Sequence, residues 1–227
     1  MRSWMAARHV FSRPLPQGLG EDLRLSESVV SALIARFSAP GDVVFDPFAG
    51  FGTTLFVAER MGRAGWGVER CAARASYARS LLARRDRLIA DDIRTVDLSG
   101  LPSPQLTLTS PIYMHRHETA DPLSGFAVAG SYGGYLAELG RLFRRIAAAS
   151  RPGGWMVIEA ANLTCSEGHT PFAWDLARAV AVPPLDARPP APRLEREIVL
   201  AWDRYGHGTD HSYALVFATP PPAPEGA

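Results

Sequence analysis

The sequence predicts an α/β domain built on a doubly wound, mostly parallel, seven-stranded sheet with a terminal antiparallel strand. Three observations support this fold class. Short apolar stretches rich in β-branched residues alternate with amphipathic helical patterns along most of the chain. The first strand runs into a glycine turn that opens directly into a helix. The last two strand patterns, Glu197–Trp202 and Ser212–Phe217, are placed to form a closing antiparallel pair.

The elements follow one another with few interruptions. Ser26 is a candidate N-cap for a first helix, whose apolar residues recur at helical spacing until Phe37, before the Pro40-Gly41 turn. A proline-rich connection over residues 182–193 precedes the closing pair, and we see no internal repeat. The predicted helices span residues 25–37, 54–60, 71–87, 135–150 and 171–180, and the predicted strands before the closing pair span residues 43–45, 64–69, 88–90, 106–109 and 155–159.

Composition fits one globular domain. The 227 residues are 47% hydrophobic and 21% charged, which is ordinary for a protein that buries a sizeable core. We expect an N-terminal arm over residues 1–24, the folded domain over residues 25–218 and a disordered, proline-rich tail over residues 219–227. We find neither a signal peptide nor an apolar run that could cross a bilayer, so we expect a cytoplasmic protein without a membrane partner.

Charge and cysteine content exclude some classes of function. The formal net charge of +1 provides no global basic field, which argues against a protein that grips long duplex DNA unaided. The two cysteines, Cys71 and Cys165, are too few and too isolated for a disulfide framework or a zinc site, so no metal is expected.

The stretch Asp46–Thr54, with the sequence DPFAGFGTT, carries the strongest signal for ligand binding. A strand that stops at a glycine turn and restarts as a helix places backbone amides at the sheet edge where open α/β folds bind cofactors. Gly50 and Gly52 have no Cβ and would let a ligand approach the backbone closely. Glu69, at the end of the second strand, can accept hydrogen bonds from both hydroxyls of a ribose.

The second informative stretch is the tetrapeptide Ser110–Tyr113, with the sequence SPIY, at the end of the strand over residues 106–109. The Ser110 hydroxyl and the Pro111 carbonyl place two hydrogen-bond acceptors at the carboxyl end of this strand. The ring of Tyr113 offers a face on which a planar base can stack.

Both stretches resemble one family. The string DPFAGFGTT resembles the S-adenosylmethionine loop of the amino-methyltransferases, which methylate exocyclic nitrogens of adenine or cytosine. The tetrapeptide resembles the S-P-P-Y sequence of the cytosine-N4 enzymes, with Ile112 replacing the second proline and putting the rigidity of the turn in question. The resemblance covers most of residues 25–218. It implies the Rossmann-like topology of class I methyltransferases and S-adenosyl-L-methionine as the cofactor.

The resemblance also implies roles for individual residues. Ser110, Pro111 and Tyr113 would be catalytic, and family spacing selects Asp92 of the Asp91-Asp92 pair as the acceptor of the adenine amino group of the cofactor. The other cofactor-binding residues that it implies are Asp46, Pro47, Phe48, Ala49, Gly50, Gly52, Thr53, Thr54 and Glu69.

The leading hypothesis is an S-adenosylmethionine-dependent methyltransferase that acts on an amino group of a nucleobase, with cytosine N4 as the best single guess and DNA favoured over RNA. No segment is long enough for a region that reads bases in a groove and flips one out. DNA would therefore be read through a specificity partner or a homodimer, or the substrate would be smaller or single-stranded. The alternatives are a tRNA or rRNA amino-methyltransferase, a methyltransferase of a peptide or small-molecule amine, and a non-catalytic cofactor-binding subunit.

Several other polar side chains are candidates for substrate contact. His115 and His117 lie in the glycine-rich stretch directly after the tetrapeptide, where surface histidines are common. Asn162, His207 and His211 belong to later loops that we expect at the cofactor edge of the sheet, and they are candidates to line the target pocket.

Overall fold

The computed structural model describes residues 3–15, 18, 24–182, 191–206 and 209–220. The part of the chain that it describes folds into strands and helices that alternate along most of the sequence. The strands are β1 (Trp4–Ala7), β2 (Val43–Asp46), β3 (Ala64–Val68), β4 (Leu88–Ile89), β5 (Leu106–Thr109), β6 (Trp155–Ala160), β7 (Leu163–Cys165), β8 (Gly168–Thr170), β9 (Arg193–Gly206) and β10 (Thr209–Ala218). The α-helices are α1 (Glu27–Phe37), α2 (Thr53–Arg60), α3 (Ala72–Leu81), α4 (Tyr132–Ala149) and α5 (Phe172–Ala181).

The main sheet has the predicted doubly wound topology. Among the described residues its strand order is β1-β9-β10-β6-β5-β2-β3-β4. Every pairing in this sheet is parallel except those of β10, which runs antiparallel to both β6 and β9. This arrangement agrees with a mostly parallel sheet closed by an antiparallel strand, but it contains eight strands instead of the seven predicted.

The additional strand comes from the segment predicted to be an arm. Residues Trp4–Ala7 form β1, which pairs in parallel with β9 and brings Ala7, at 1% exposure, into the core. Pairing satisfies backbone groups along the edge of β9 that would otherwise need water. Four residues with the sequence WMAA are too short to show a periodicity, which is why the sequence does not predict this strand.

Helices cover both faces of the sheet, as the alternation of buried residues in β10 shows. Leu215 and Phe217 face the cluster that contains α4 and α5, whereas Ala214 and Val216 face the cluster that contains α1 and α2. Successive residues of a strand point to opposite faces, so two apolar layers cover the two faces of the central strands. The result is the three-layer arrangement that parallel sheets need.

Some element boundaries differ from those predicted, and side chains explain the differences. Helix α3 ends at Leu81, not at residue 87, because the Glu59 carboxylate accepts hydrogen bonds from the backbone N–H groups of Ala83 and Arg84 at 2.9 and 3.1 Å. Helix α4 starts three residues before the predicted Tyr135, because Ser131 caps it by accepting from the N–H of Gly134.

Two predicted irregular segments are ordered. The predicted polar loop of residues 162–169 contains most of the antiparallel hairpin of β7 and β8, in which Leu163 pairs with Thr170. Thr219, in the predicted tail, is buried, and its hydroxyl donates to the carbonyl of Arg151 at 2.8 Å. The rest of the tail from residue 221, residues 183–190 of the proline-rich connection and His207 lie outside the described residues.

In the described ranges, none of the helices combines the length and the apolar character that crossing a membrane requires.

Strands β2 to β6 are mutually parallel, so their carboxyl ends meet at one edge of the sheet. Asp46, Glu69, Asp92, Ser110 and Glu159 lie at or just after those strand ends. The fold thereby brings four predicted site residues, and Glu159 with them, from distant parts of the sequence to one place.

Candidate active site

A cleft of about 1460 Å³ opens at the carboxyl edge of the sheet. Small-molecule sites commonly enclose roughly 300–1,000 Å³, so this cleft has room for a cofactor and part of a second molecule. All of the predicted site residues line it except Gly52. The predicted residues that line the cleft are Asp46, Pro47, Phe48, Ala49, Gly50, Thr53, Thr54, Glu69, Asp92, Ser110, Pro111 and Tyr113.

Asp46 anchors the start of the glycine loop. Its Oδ1 atom accepts a hydrogen bond from the Thr109 hydroxyl at 2.6 Å and from the backbone N–H of Phe48 at 3.0 Å. The side chain is 4% exposed, and burial raises the pKa of the Asp46 carboxyl to about 6, although the hydrogen bond from Thr109 opposes the shift. These bonds fasten the end of β2 to the end of β5, so the loop and the tetrapeptide are positioned together.

Glu69 closes the other side of the loop. Its Oε2 atom accepts from the N–H of Gly50 at 2.8 Å, and its Oε1 atom accepts from the N–H of Cys71 at 2.7 Å. Burial raises the pKa of this carboxyl, against the opposing effect of the two backbone donors. A carboxylate oxygen has two lone pairs, so each oxygen retains one that can accept a hydroxyl of a diol.

The two loop glycines serve different purposes. Gly50 has a φ of 53°, and a Cβ placed on it would meet only the Phe48 carbonyl oxygen at 3.9 Å, so this glycine leaves open space beside the backbone. Gly52 has a φ of 82°, and its Cβ would lie 2.8 Å from the Cβ of Ala78 in α3. Close packing against α3 therefore requires Gly52, whereas the sequence prediction assigns it to ligand approach.

Asp92 lines the cleft but is already paired. Its carboxylate forms a two-pronged contact with Arg94, in which Nη2 donates to Oδ2 at 2.6 Å and Nε donates to Oδ1 at 3.0 Å. These hydrogen bonds from Arg94 lower the pKa of Asp92. The neighbouring Asp91 is exposed, and its Oδ1 accepts from the N–H of Asp92 at 2.7 Å. Arg94 fixes the orientation of the carboxylate, which can still accept through its remaining lone pairs.

The tetrapeptide converges on a carboxyl group from the next strand. The Ser110 hydroxyl donates to Oε2 of Glu159 at 2.8 Å, and the Tyr113 hydroxyl donates to the same oxygen at 2.6 Å. Burial, and then the Glu159 charge, raise the pKa of Tyr113 well above its ordinary value, so the phenol stays protonated and remains a donor. Because the hydroxyl hydrogen of Ser110 is directed at Glu159, its lone pairs are left to accept from a ligand.

Glu159 is the functional candidate that the sequence reasoning missed. The sequence pattern indicates only that it ends the strand Trp155–Glu159, yet it is 5% exposed and lines the cleft. A signal was available in the sequence, because a buried carboxyl group is costly and seldom occurs without a purpose in an otherwise apolar strand. Strand β6 lies directly beside β5, which carries the tetrapeptide.

The remaining tetrapeptide residues are held by α4 and α5. The ring of Tyr113 packs against Phe172 of α5, with centroids 5.1 Å apart and a tilt of 44°. The Ile112 side chain is 40% exposed, while its backbone carbonyl accepts a hydrogen bond from the Tyr135 hydroxyl of α4. This bond anchors the turn at Ile112, where the S-P-P-Y sequence that the tetrapeptide resembles has its second proline.

The far wall of the cleft differs from the prediction. Asn162 is not part of the lining, because its Oδ1 atom accepts from the N–H of Ala173 at the start of α5. His211 is also outside the lining and contacts the Tyr213 hydroxyl at 3.0 Å. The described residues that line this wall come from the N-terminal segment and from β9 and β10, and they are His9, Phe11, Arg24, Leu25, Trp202, Arg204, Thr209 and Ser212.

Comparison with known proteins agrees with this architecture. A family model described as a DNA methylase matches residues 23–80, which include the glycine loop and Glu69. TrmN from Thermus thermophilus is a similar structure, with a TM-score of 0.58 and 19% identity over 86% of this chain. This chain spans only 49% of the TrmN chain.

Two further structures cover this chain at comparable similarity. An RNA methyltransferase from Salinibacter ruber, in complex with S-adenosyl-L-homocysteine, has a TM-score of 0.51 and 14% identity, over 89% of this chain and 97% of that one. A TehB-like SAM-dependent methyltransferase from Corynebacterium glutamicum has a TM-score of 0.52 and 16% identity, over 84% of this chain and 86% of that one. The class I methyltransferase fold is thereby confirmed. The family match over the glycine loop agrees with the predictions of a methyltransferase and of S-adenosyl-L-methionine as its cofactor.

Proposed function

We propose that this chain transfers a methyl group from S-adenosyl-L-methionine to an exocyclic amino group of a nucleobase. One observation carries the proposal: Ser110 and Tyr113 share the Glu159 carboxyl group, in the same cleft that the glycine loop lines. The cofactor would lie against the glycine loop, with Glu69 accepting from its ribose and Asp92 accepting from its adenine amino group. Bound there, it supplies the electrophilic methyl group.

The open space at Gly50 and the free lone pairs of Glu69 fit such a cofactor. A Cβ at Gly50 would occupy that open space, so glycine leaves the backbone accessible to a ligand. Asp46 lies 4% exposed beneath the loop, and its bonds to Thr109 and Phe48 maintain the loop conformation. The buried carboxyl groups also provide acceptors for the hydroxyl and amine donors of a nucleoside.

The hydrogen bonds of the tetrapeptide indicate how it would act on the amine that receives the methyl group. Ser110 offers its lone pairs to an N–H of the target amine, and the Pro111 carbonyl offers a second acceptor. An amine that gains a methyl group must lose a proton. The Glu159 carboxyl group can take that proton through the Ser110 hydroxyl, which lies 2.8 Å from it. Tyr113 holds the carboxyl group in place and presents its ring beside the reacting amine.

For the substrate we propose cytosine N4 in a nucleic acid that is single-stranded or is presented by a partner. The match to the DNA methylase family and the serine-type tetrapeptide favour this choice. The Salinibacter RNA methyltransferase, which covers 89% of this chain with a similar fold, favours RNA as the second candidate. The formal net charge of +1 agrees with a protein that does not grip long duplexes by charge alone.

The test of the substrate is transfer of a tritiated methyl group to matched panels of single-stranded DNA, duplex DNA, RNA, nucleosides and a peptide. Mass identification of the labelled product then locates the methyl group. Label on the exocyclic nitrogen of cytosine is the expected result. Label confined to the peptide, or to a ring carbon, would contradict the proposal.

The test of the mechanism is the variant Ser110→Ala. We expect methyl transfer to fall by at least about 100-fold, because the acceptor and the path to Glu159 are both removed. The dissociation constant of S-adenosyl-L-methionine, measured by calorimetry, should stay within about threefold of the wild-type value. Ser110 is proposed to act in methyl transfer, whereas other residues are proposed to bind the cofactor. Glu159→Gln should give the same pattern, and the exposed Ser103→Ala is the matched control. Unchanged transfer by Ser110→Ala would refute the mechanism.

A further inference from the structure

Three side chains of the kind that bind metals converge beside the cleft from two separate segments. His115 and His117 follow the tetrapeptide, and Cys165 ends β7. The ligand atoms of all three lie within 4.8 Å of one another. The Cys165 Sγ atom is 3.9 Å from Nε2 of His117, and the same nitrogen is 2.8 Å from Oε2 of Glu167 in the turn of the hairpin.

His115 provides an independent reason to expect a ligand. Its Nδ1 atom is buried and has no hydrogen-bond partner among the described residues. A buried ring nitrogen without a partner is unfavourable, and native structures satisfy such atoms with protein groups, water or an ion. The rings of His115 and His117 stack with their centroids 5.1 Å apart, which keeps the two imidazoles side by side.

We propose that His115, His117 and Cys165 bind a Zn²⁺ ion and leave its fourth coordination position open. Two imidazoles and a thiolate form a borderline-soft donor set that suits zinc better than magnesium or calcium. Tetrahedral zinc ligands lie roughly 3.3–3.8 Å apart, given bond lengths of about 2.0–2.3 Å. The observed separations, up to 4.8 Å, require only a small inward movement of the three side chains.

This proposal revises what the sequence predicts for Cys165. With two cysteines far apart, a zinc site has no support in the sequence, because the histidine ligands lie some fifty residues before Cys165. The fold supplies the proximity, since the segment after β5 and the hairpin after β6 leave the sheet from neighbouring strands. A metal here would fasten those two segments together. His115 lines the cleft, so a bound metal would also fix the part of the cleft wall that His115 forms.

The experiment measures metal directly in protein without an affinity tag. Wild-type protein, after incubation with Zn²⁺ and dialysis, should retain one zinc per chain by mass spectrometry of the metal. Replacing Zn²⁺ with Co²⁺ should give a sulfur-to-cobalt charge-transfer band. Cys165→Ser should lose that band, and Cys165→Ser and His117→Ala should each weaken Zn²⁺ binding by at least about 100-fold, since loss of an outer-sphere partner alone costs 10–100-fold.

Two matched controls distinguish this site from adventitious binding. Cys71→Ser removes the other, exposed cysteine, and His169→Ala removes a histidine of the same hairpin whose Nδ1 contacts the Thr164 hydroxyl at 2.9 Å. Both should retain one zinc per chain, and circular dichroism should show every variant folded. Wild-type protein without zinc, a cobalt complex without the sulfur band, or equal losses in the control variants would each overturn the proposal.

Discussion

At the scale of single residues, the site depends on buried carboxyl groups at the strand ends. Asp46, Glu69 and Glu159 are 4%, 8% and 5% exposed. Hydroxyl or backbone N–H donors hold each of them, and those bonds orient the oxygens without neutralising the group. Such groups are costly to bury, so the protein sacrifices stability to keep acceptors aligned where a ligand would bind.

The cost of burying the Asp46 carboxyl group predicts that the stability of the protein depends on pH. Its pKa is raised to about 6 in the folded protein, against 3.8 as the ordinary value, so the folded state binds the proton more tightly. The free energy of unfolding should therefore fall as pH rises through this window. The side chain of the variant Asp46→Asn is neutral at every pH. Above pH 6 its free energy of unfolding should exceed that of the ligand-free wild type by roughly 3 kcal/mol, at about 1.4 kcal/mol per pKa unit.

Urea unfolding of both proteins at several pH values tests this expectation. The advantage of the asparagine variant should shrink as pH falls from 7, should be below about 1 kcal/mol at pH 4 and should vanish below the ordinary pKa of 3.8. A difference that does not change between pH 7 and pH 4 would contradict the prediction.

Gly52 gives a second prediction at this scale. Alanine at Gly52 would adopt an unfavourable left-handed conformation and would also place its Cβ 2.8 Å from Ala78. Gly41 is the matched control, because it has a φ of 89° but a Cβ added there would meet nothing within 4 Å. Gly41→Ala should cost about 1–2 kcal/mol of unfolding free energy, and Gly52→Ala should cost a further 1–3 kcal/mol or so.

Denaturant titration of the two alanine variants measures this difference. Equal stability of Gly52→Ala and Gly41→Ala would show that packing against α3 does not require the glycine.

At the scale of elements, Ser26 is one of the side chains that fasten the N-terminal segment to α1, together with Glu27 and Ser28. The Ser26 hydroxyl, 1% exposed, accepts from the N–H of Val10 at 3.1 Å and donates to the carbonyl of Arg8. As the N-cap of α1 it also accepts from the N–H of Ser28 at 3.4 Å. This serine therefore links the helix to the segment that brings His9 and Phe11 to the cleft.

Ser26→Ala should consequently destabilise the protein by about 1–2 kcal/mol, the sum of a lost cap and an unsatisfied backbone donor. Hydrogen exchange of the Val10 amide should become faster, which reports release of the segment itself. Ser31→Ala is the control, because the Ser31 hydroxyl donates only to the carbonyl of Glu27 within the same helix, at 2.7 Å. Similar exchange at Val10 in both variants would contradict the proposed link.

At the scale of the whole molecule, cofactor binding should appear as thermal stability. At about 100 times its dissociation constant a ligand adds roughly 2.7 kcal/mol, which raises Tm by about 5–10 °C in a domain of this size. S-adenosyl-L-methionine should produce this shift in differential scanning fluorimetry. Glu69→Gln should reduce it, because one acceptor of the ribose is lost. A wild-type protein without a shift would contradict the assignment of the cleft.

Much of the fold and of the candidate site can be predicted from the sequence, because the local sequence patterns agree with the fold that forms. The glycine loop, Glu69 and the tetrapeptide each follow a strand, and parallel topology brings strand ends together, so their convergence is predictable. The sequence does not predict strand β1 or the role of Glu159, for one shared reason. Each depends on a neighbour distant in sequence, since β1 pairs with β9 and Glu159 meets Ser110 across 49 positions.

The shared carboxyl group has a consequence for the tetrapeptide itself. The first position of the tetrapeptide holds a serine, and the carboxyl group within hydrogen-bonding reach of it belongs to Glu159 on the adjacent strand. An aspartate at position 110 would bring two carboxyl groups into hydrogen-bonding reach, and such a pair shares one proton. An acidic residue at position 110 and the glutamate at position 159 are therefore alternatives to each other. The contact couples the ends of β5 and β6, and we expect an acidic replacement of Ser110 to need a compensating change at Glu159.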